Sequence, residues 1–155
     1  MICWRISDFA DLTGEGGRLV GGRWHTRGRP IVYLSEHPAL ALLEHLVHLE
    51  IDLEDLPDSY RLLEVEIPDD VPARSISEND LSERDADWRS NVALTRAKGD
   101  EWLTDAISLV CRVPSVILPR STNILFNPAH PDAPRADIVS STNPPYDPRL
   151  FAQHG

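Results

Sequence analysis

Long apolar runs are missing from this chain, and so is any excess of positive charge. No stretch approaches the roughly 20 apolar residues that a membrane-spanning helix needs. The first residues, MICWRISDFADL, have neither the basic start nor the extended apolar segment of a secretory signal. The expectation is a cytoplasmic protein with no membrane partner. Lys and Arg number 15 against 25 Asp and Glu, a formal net charge of −10. That balance opposes attraction to phosphate backbones and argues against direct nucleic acid binding, whereas a basic protein partner suits it. Cysteine is scarce too. Cys3 and Cys111 lie far apart among apolar neighbours, so two buried free thiols are expected rather than a disulfide or a metal site. Also absent are the G-x-G-x-x-G of a Rossmann fold, the G-K-[ST] of a P-loop, the G-x-S-x-G of serine hydrolases and H-E-x-x-H. No repeat, low-complexity segment or interior linker divides the 155 residues, so they read as one domain, 1–155, with a proline-rich tail over 143–155.

What is there concentrates between Gly21 and Glu50, GGRWHTRGRPIVYLSEHPALALLEHLVHLE. Arg23 is expected on a strand beside the Gly21-Gly22 pair, and Tyr33 on a second strand after the Pro30 turn. A helix over Ser35–Glu50 follows, with Ser35 as its cap, Glu36 in its first turn and Pro38 tolerated there. At 100° per residue its apolar residues fill one broad arc, and Glu44 falls at the border of that arc beside Leu40 and Val47. A carboxylate so placed can point into a cleft between helix and sheet, where partial desolvation strengthens its pull on a positive charge. His37, His45 and His48 share the neighbourhood of Glu44, but an i, i+3 histidine pair is a weak metal signal, so no metal is expected.

Along the rest of the chain, Trp4 and Ile6 suggest a first strand, and residues 60–67 alternate as a strand ended by Pro68. Residues 69–85 read as loop with one helical turn. Residues 88–98 have weak helical character, and 100–105 form a separate short turn. ISLVCRV and SVILP read as two strands hinged at Pro114, NILFNP continues as a strand, and 136–140 adds an edge strand. Trp24 and Trp102 read as core. Strands that follow one another without helices between them exclude a doubly wound sheet. The fold class is α+β, strand-rich with one principal helix.

Taken in order, GGRW, IVYLSE-HPALALLE-HLVHL, GDEWL and VPSVILP-x3-NILFNPAHPD resemble the RES-domain family over roughly residues 4–132. The resemblance implies an ADP-ribosyltransferase-like fold with an NAD cleft. It also implies a toxin of a bacterial toxin-antitoxin pair that consumes NAD, by cleaving off nicotinamide or by passing ADP-ribose to a protein. The partner implied is an Xre-type helix-turn-helix antitoxin that blocks the active site, in a hetero-oligomer with more than one copy of each chain. Carried over by motif, the family arginine matches Arg23, the tyrosine Tyr33 and the glutamate Glu44. The serine matches Ser115 in VPSVILP, with Ser35 in YLSE as a competitor. Asn123 and Asn127 fall in the N-x3-NP run, expected at the floor of the cleft. Under this resemblance Glu44 would stabilise an oxocarbenium-like ribose, Arg23 would hold the pyrophosphate, Tyr33 would contact the nicotinamide or ribose, and Ser35, Ser115 and Asn123 would help bind NAD. Two other readings are a catalytically silent partner of an Xre-type regulator and a metal-dependent hydrolase using His45 and His48.

Overall fold

The computed structural model of the protein describes residues 1–151. Its centre is a seven-stranded sheet in the order β4-β5-β6-β2-β1-β3-β7. The strands are β1 (Ile2–Ile6), β2 (Val32–Ser35), β3 (Leu62–Glu66), β4 (Ala73–Ser75), β5 (Val110–Pro114), β6 (Thr122–Phe126) and β7 (Asp137–Thr142). Only the β4–β5 pair is parallel among them; every other pairing is antiparallel. Among the described residues four α-helices decorate the sheet: α1 (Glu15–Leu19), α2 (Pro38–Val47), α3 (Glu78–Ser82) and α4 (Val92–Asp105).

Alternation along the central strands sorts the side chains to two faces. Val32 and Leu34 of β2 join Cys3, Val65, Ile124 and Phe126 in one buried cluster. Tyr33 turns to the other face, where Leu125, Cys111 and Val113 pack with Trp24, Trp88 and Trp102. Both cysteines are free and buried, and burial pushes each thiol up to about 11.

The helices depart from the sequence expectations in ways the side chains explain. Residues 88–98 and 100–105 do not form two weak pieces: a single 14-residue helix, α4, starts at Val92 and runs on through Gly99 to Asp105, the longest helix among the described residues. Its buried face is Thr95, Gly99 and Trp102, a stripe with two small members that gives little amphipathic signal. Gly99 is there for contact rather than to break the helix. A Cβ at this position would lie 1.7 Å from the Trp24 carbonyl oxygen, so only glycine lets α4 lie against that backbone.

The helix carrying Glu44 is shorter than Ser35–Glu50. Its N-cap is His37, whose Nδ1 accepts from the Ala39 amide at 3.1 Å, not Ser35. Pro38 explains the offset, because the residue before a proline is driven to extended backbone and His37 sits at φ −143°. Ser35 instead ends β2, opposite Asn123 on β6 and Trp4 on β1. Glu36 lies outside the first helical turn and accepts from the Thr122 amide at 2.8 Å, tying the start of β6. Two further expectations change. SVILP is not a strand: Ser115 Oγ accepts from the Ile117 and Leu118 amides and folds the segment into the turn of a β5–β6 hairpin. Residues 69–85 hold both the short edge strand β4 and α3, which has a Ser77–Asp80 capping box. The expected edge strand near 136–140 is β7, and the tail beyond it packs on the fold. Pro144 and Asp58 carbonyls accept from the Tyr60 and Tyr146 amides. The tail residues 152–155 lie outside the described residues.

Candidate active site

A cavity of about 590 Å³ opens on the Tyr33 face of the sheet, between α2 and the segment 16–25. Arg23, Tyr33, Ser35, Glu44 and Asn123 all line it. Ser115 lies directly behind, buried, with its hydroxyl on Glu44. Asn127 does not reach the cavity. It is buried next to β6, where its Oδ1 accepts from the Ala129 amide and its backbone N–H donates to the Leu109 carbonyl. The N-x3-NP spacing therefore splits: odd positions of β6 share a face, but Asn127 falls beyond the strand's end, where it shapes the following turn.

Glu44 is held by one of its two oxygens. Asn123 Nδ2 donates to Oε1 at 2.6 Å and Ser115 Oγ donates to the same oxygen at 3.1 Å. Ser35 Oγ donates in turn to Asn123 Oδ1 at 2.9 Å, so the amide cannot rotate away. Both serines thus serve one chain of hydrogen bonds, Ser115 directly and Ser35 through Asn123. Among the described residues no donor reaches Oε2. The carboxylate is fixed in orientation while half of its accepting capacity remains available in the cavity.

Arg23 is not on a strand. It lies in a tight turn closed by an isolated bridge between Gly22 and His25. The turn is anchored from outside. Thr95 Oγ1 donates to the Arg23 carbonyl at 2.7 Å, Arg96 Nε donates to the Gly22 carbonyl at 2.7 Å, and Gly99 receives the Trp24 backbone. One end of the guanidinium donates to the Arg89 carbonyl at 2.9 Å. Burial lowers the Arg23 pKa from its ordinary value, and the Glu44 charge pulls it back up, as expected for opposite charges facing one cavity.

The Tyr33 hydroxyl is committed to the same turn. It accepts from the Trp24 amide at 3.1 Å and lies 2.7 Å from His25 Nδ1. His25 Nε2 faces two carbonyl oxygens, of Gly17 at 2.6 Å and Val20 at 3.1 Å, so Nε2 carries the hydrogen. In the neutral ring Nδ1 is then the acceptor, and the phenol donates to it. Burial pushes the Tyr33 pKa well above the ordinary tyrosine value. A Cβ on Gly22 would come within 2.6 Å of this hydroxyl, which is why the turn begins on glycine. Tyr33 offers the cavity its ring, while its hydroxyl works as the post on which the Arg23 turn hangs.

Nothing local in the sequence marks His25, Thr95, Arg96 or Arg89. Gly99 inside a helical stretch was the one available signal, since glycine there marks close approach. The histidine pair of α2 has separate engagements: His45 Nε2 meets the Tyr146 hydroxyl at 2.6 Å, and His48 Nδ1 the Glu44 backbone carbonyl at 2.7 Å. Among the described residues no three His, Cys, Asp or Glu side chains are grouped to hold a metal ion.

A cavity on a largely antiparallel sheet, bordered by Glu44 of α2 and by the turn that carries Arg23, marks an α+β domain whose family the comparisons show. The RES domain matches residues 2–148, and the chain belongs to that family. Toxin Res of Pseudomonas putida strain KT2440 is 48% identical over 151 residues, 97% of this chain and 100% of that protein. The Prs ADP-ribosylating toxin of Sphingobium sp. strain YBL2 is 37% identical over 156 residues, 96% of this chain and 95% of that one. In fold, the chain resembles a crystal structure of the M. tuberculosis MbcT-MbcA toxin-antitoxin complex. That match has a TM-score of 0.72 and 17% identity, covering 97% of this chain and 86% of the other.

Proposed function

We propose that this protein is an NAD-consuming toxin that breaks the nicotinamide–ribose bond and is held in check by an antitoxin in the cytoplasm. The observation that carries this reading is Glu44, pinned through Oε1 by Asn123 and Ser115, with no donor on Oε2 among the described residues, in the lining of a cavity shared with Arg23. The relatives named as Res toxins and as an ADP-ribosylating toxin support it.

In this reading the C–N bond breaks heterolytically. Its electron pair goes to the ring nitrogen, neutral nicotinamide leaves, and positive charge develops on the ribose. Glu44 is the catalytic residue: its fixed carboxylate faces the developing charge, and Oε2 accepts from a ribose hydroxyl. Arg23 binds the pyrophosphate by charge-assisted hydrogen bonds. Asn123, Ser115 and Ser35 act through Glu44, and Tyr33 places Arg23 while presenting its ring to the substrate. Water, phosphate or a protein side chain then adds to the ribose carbon. No metal enters this scheme. The partner we assign is an Xre-type helix-turn-helix antitoxin, assembled with more than one copy of each chain; the net charge of −10 favours a basic contact surface on it.

Incubating the purified protein with NAD and following nicotinamide release tests the reading. Mass spectrometry with phosphate, or with cell lysate, separates ADP-ribose, its 1-phosphate and a protein adduct. Release that Glu44→Gln abolishes supports the proposal. An absence of release under all three conditions sinks it in favour of a catalytically silent partner protein, which would slow growth no more than Glu44→Gln does.

A further inference from the structure

Trp4 is the one tryptophan that neither core absorbs. Trp24, Trp88 and Trp102 are each no more than 3% exposed and belong to the cluster under α4. Trp4 is half-buried, belongs to neither cluster and lines the cavity. On β1 it stands opposite Ser35 on one side and Glu64 on the other. Residues directly opposite in a ladder share a face, so the indole lies on the face where Ser35 bonds Asn123 and Asn123 bonds Glu44. Among the described residues no ring stacks on it and no cation lies over it. Part of the indole is thus exposed in the cavity, on the sheet face that carries Ser35 and Asn123.

We propose that Trp4 is the platform for the nicotinamide ring of NAD, and that it makes the site selective for the oxidised over the reduced dinucleotide. The inference rests on the NAD reading above. The choice of ring follows from position. The bond that Glu44 faces joins ribose to nicotinamide, so the ring beside the Glu44–Asn123–Ser35 chain is nicotinamide; adenine lies at the far end of the pyrophosphate. The choice of redox form follows from charge. The oxidised ring is a pyridinium cation, which the negative face of an indole attracts, whereas the dihydro ring is neutral. As the glycosidic bond breaks, the ring takes the electron pair and loses its charge, and the attraction fades. Trp4 therefore strengthens ground-state binding and contributes little to the chemical step.

The test uses carba-NAD, which keeps the cationic ring on an uncleavable carbocycle, and NADH. Because the other tryptophans are buried, carba-NAD is expected to quench the fluorescence of Trp4, a response that Trp4→Phe removes. By calorimetry Trp4→Leu binds carba-NAD about 3- to 30-fold more weakly, the range of a cation–π contact. Its NADH affinity changes less, so the preference for the oxidised form shrinks. In turnover with NAD, KM rises by a similar factor while kcat moves less than about threefold. Trp4→Phe, which keeps a weaker aromatic face, falls between the parent and Trp4→Leu. Carba-NAD binding without quenching, or an unchanged preference in Trp4→Leu, overturns the Trp4 assignment and leaves the NAD reading standing. A parent protein that binds no carba-NAD overturns both.

Discussion

Gly99→Ala is a change to a residue that touches no substrate, yet it is expected to damage both stability and turnover. In an exposed helix the substitution is favourable by about 1 kcal/mol. Here the new methyl would lie 1.7 Å from the Trp24 carbonyl oxygen and 2.7 Å from its carbon. A backbone carbonyl cannot rotate out of the way like a side chain, so α4 and the Arg23 turn must separate by roughly 1.5 to 2 Å to restore ordinary contact. Overpacking of this kind costs about 1–3 kcal/mol, occasionally more. A clash with backbone puts the cost at the upper end of that range, so after subtracting the propensity gain a net loss of up to about 2 kcal/mol is expected by urea denaturation. The same displacement strains the bonds from Thr95 and Arg96 to the turn and moves Arg23. A misplacement of about 1 Å can lower turnover on the order of 100-fold. Gly16→Ala is the control for stability, because nothing lies within 4 Å of the added methyl and the position is helical; it should be neutral or slightly stabilising. A Gly99→Ala protein as stable as its parent, releasing nicotinamide at the parent rate, would refute the reasoning.

Asn123→Asp replaces the donor 2.6 Å from Glu44 Oε1 with a second carboxylate; like charges favour the protonated acid, so the acidic limb of the kcat–pH profile should move to higher pH. Tyr33→Phe leaves the Trp24 amide and His25 Nδ1 without their buried partner, and a loss of about 1–3 kcal/mol in denaturant midpoint measurements is expected. His45, stacked on Tyr146, has its pKa lowered chiefly by burial. The unfolded chain therefore binds the proton more readily, and this contribution to stability is full above the ordinary histidine range and lost as pH falls through the lower folded value. Thermal melts of the parent across that range should fall more steeply on acidification than those of His45→Phe.

The sheet was legible wherever a strand had a covered face: β1 and β3 show through alternation, and β2, β5 and β6 through short apolar runs. The hairpin turn after Pro114 was not, because SVILP has the composition of a strand and only the hydroxyl of Ser115 turns it. The longest helix was hidden for a related reason. Two of its three buried residues are threonine and glycine, chosen for how closely they let another segment approach rather than for hydrophobicity. Glu44 could be placed at a helix border from angles alone. The groups that orient it are distant in sequence and small, and nothing local marks Asn123 or Ser115 as its partners. Arg23 was found by its motif, but the turn that presents it depends on tertiary contacts with α4, so the strand expected there did not form.

The partners of Glu44 are 71 and 79 residues further along the chain. A nascent polypeptide that has emerged only to Pro114 carries the glutamate with neither group that steadies it. It also lacks β6, which sits between β5 and β2 and joins the two parts of the sheet. A cell translating this gene therefore meets no assembled groove on an unfinished product. Whatever the finished molecule does to the host begins after the ribosome has passed Asn123, which leaves the interval of synthesis for an inhibitor to be made and waiting.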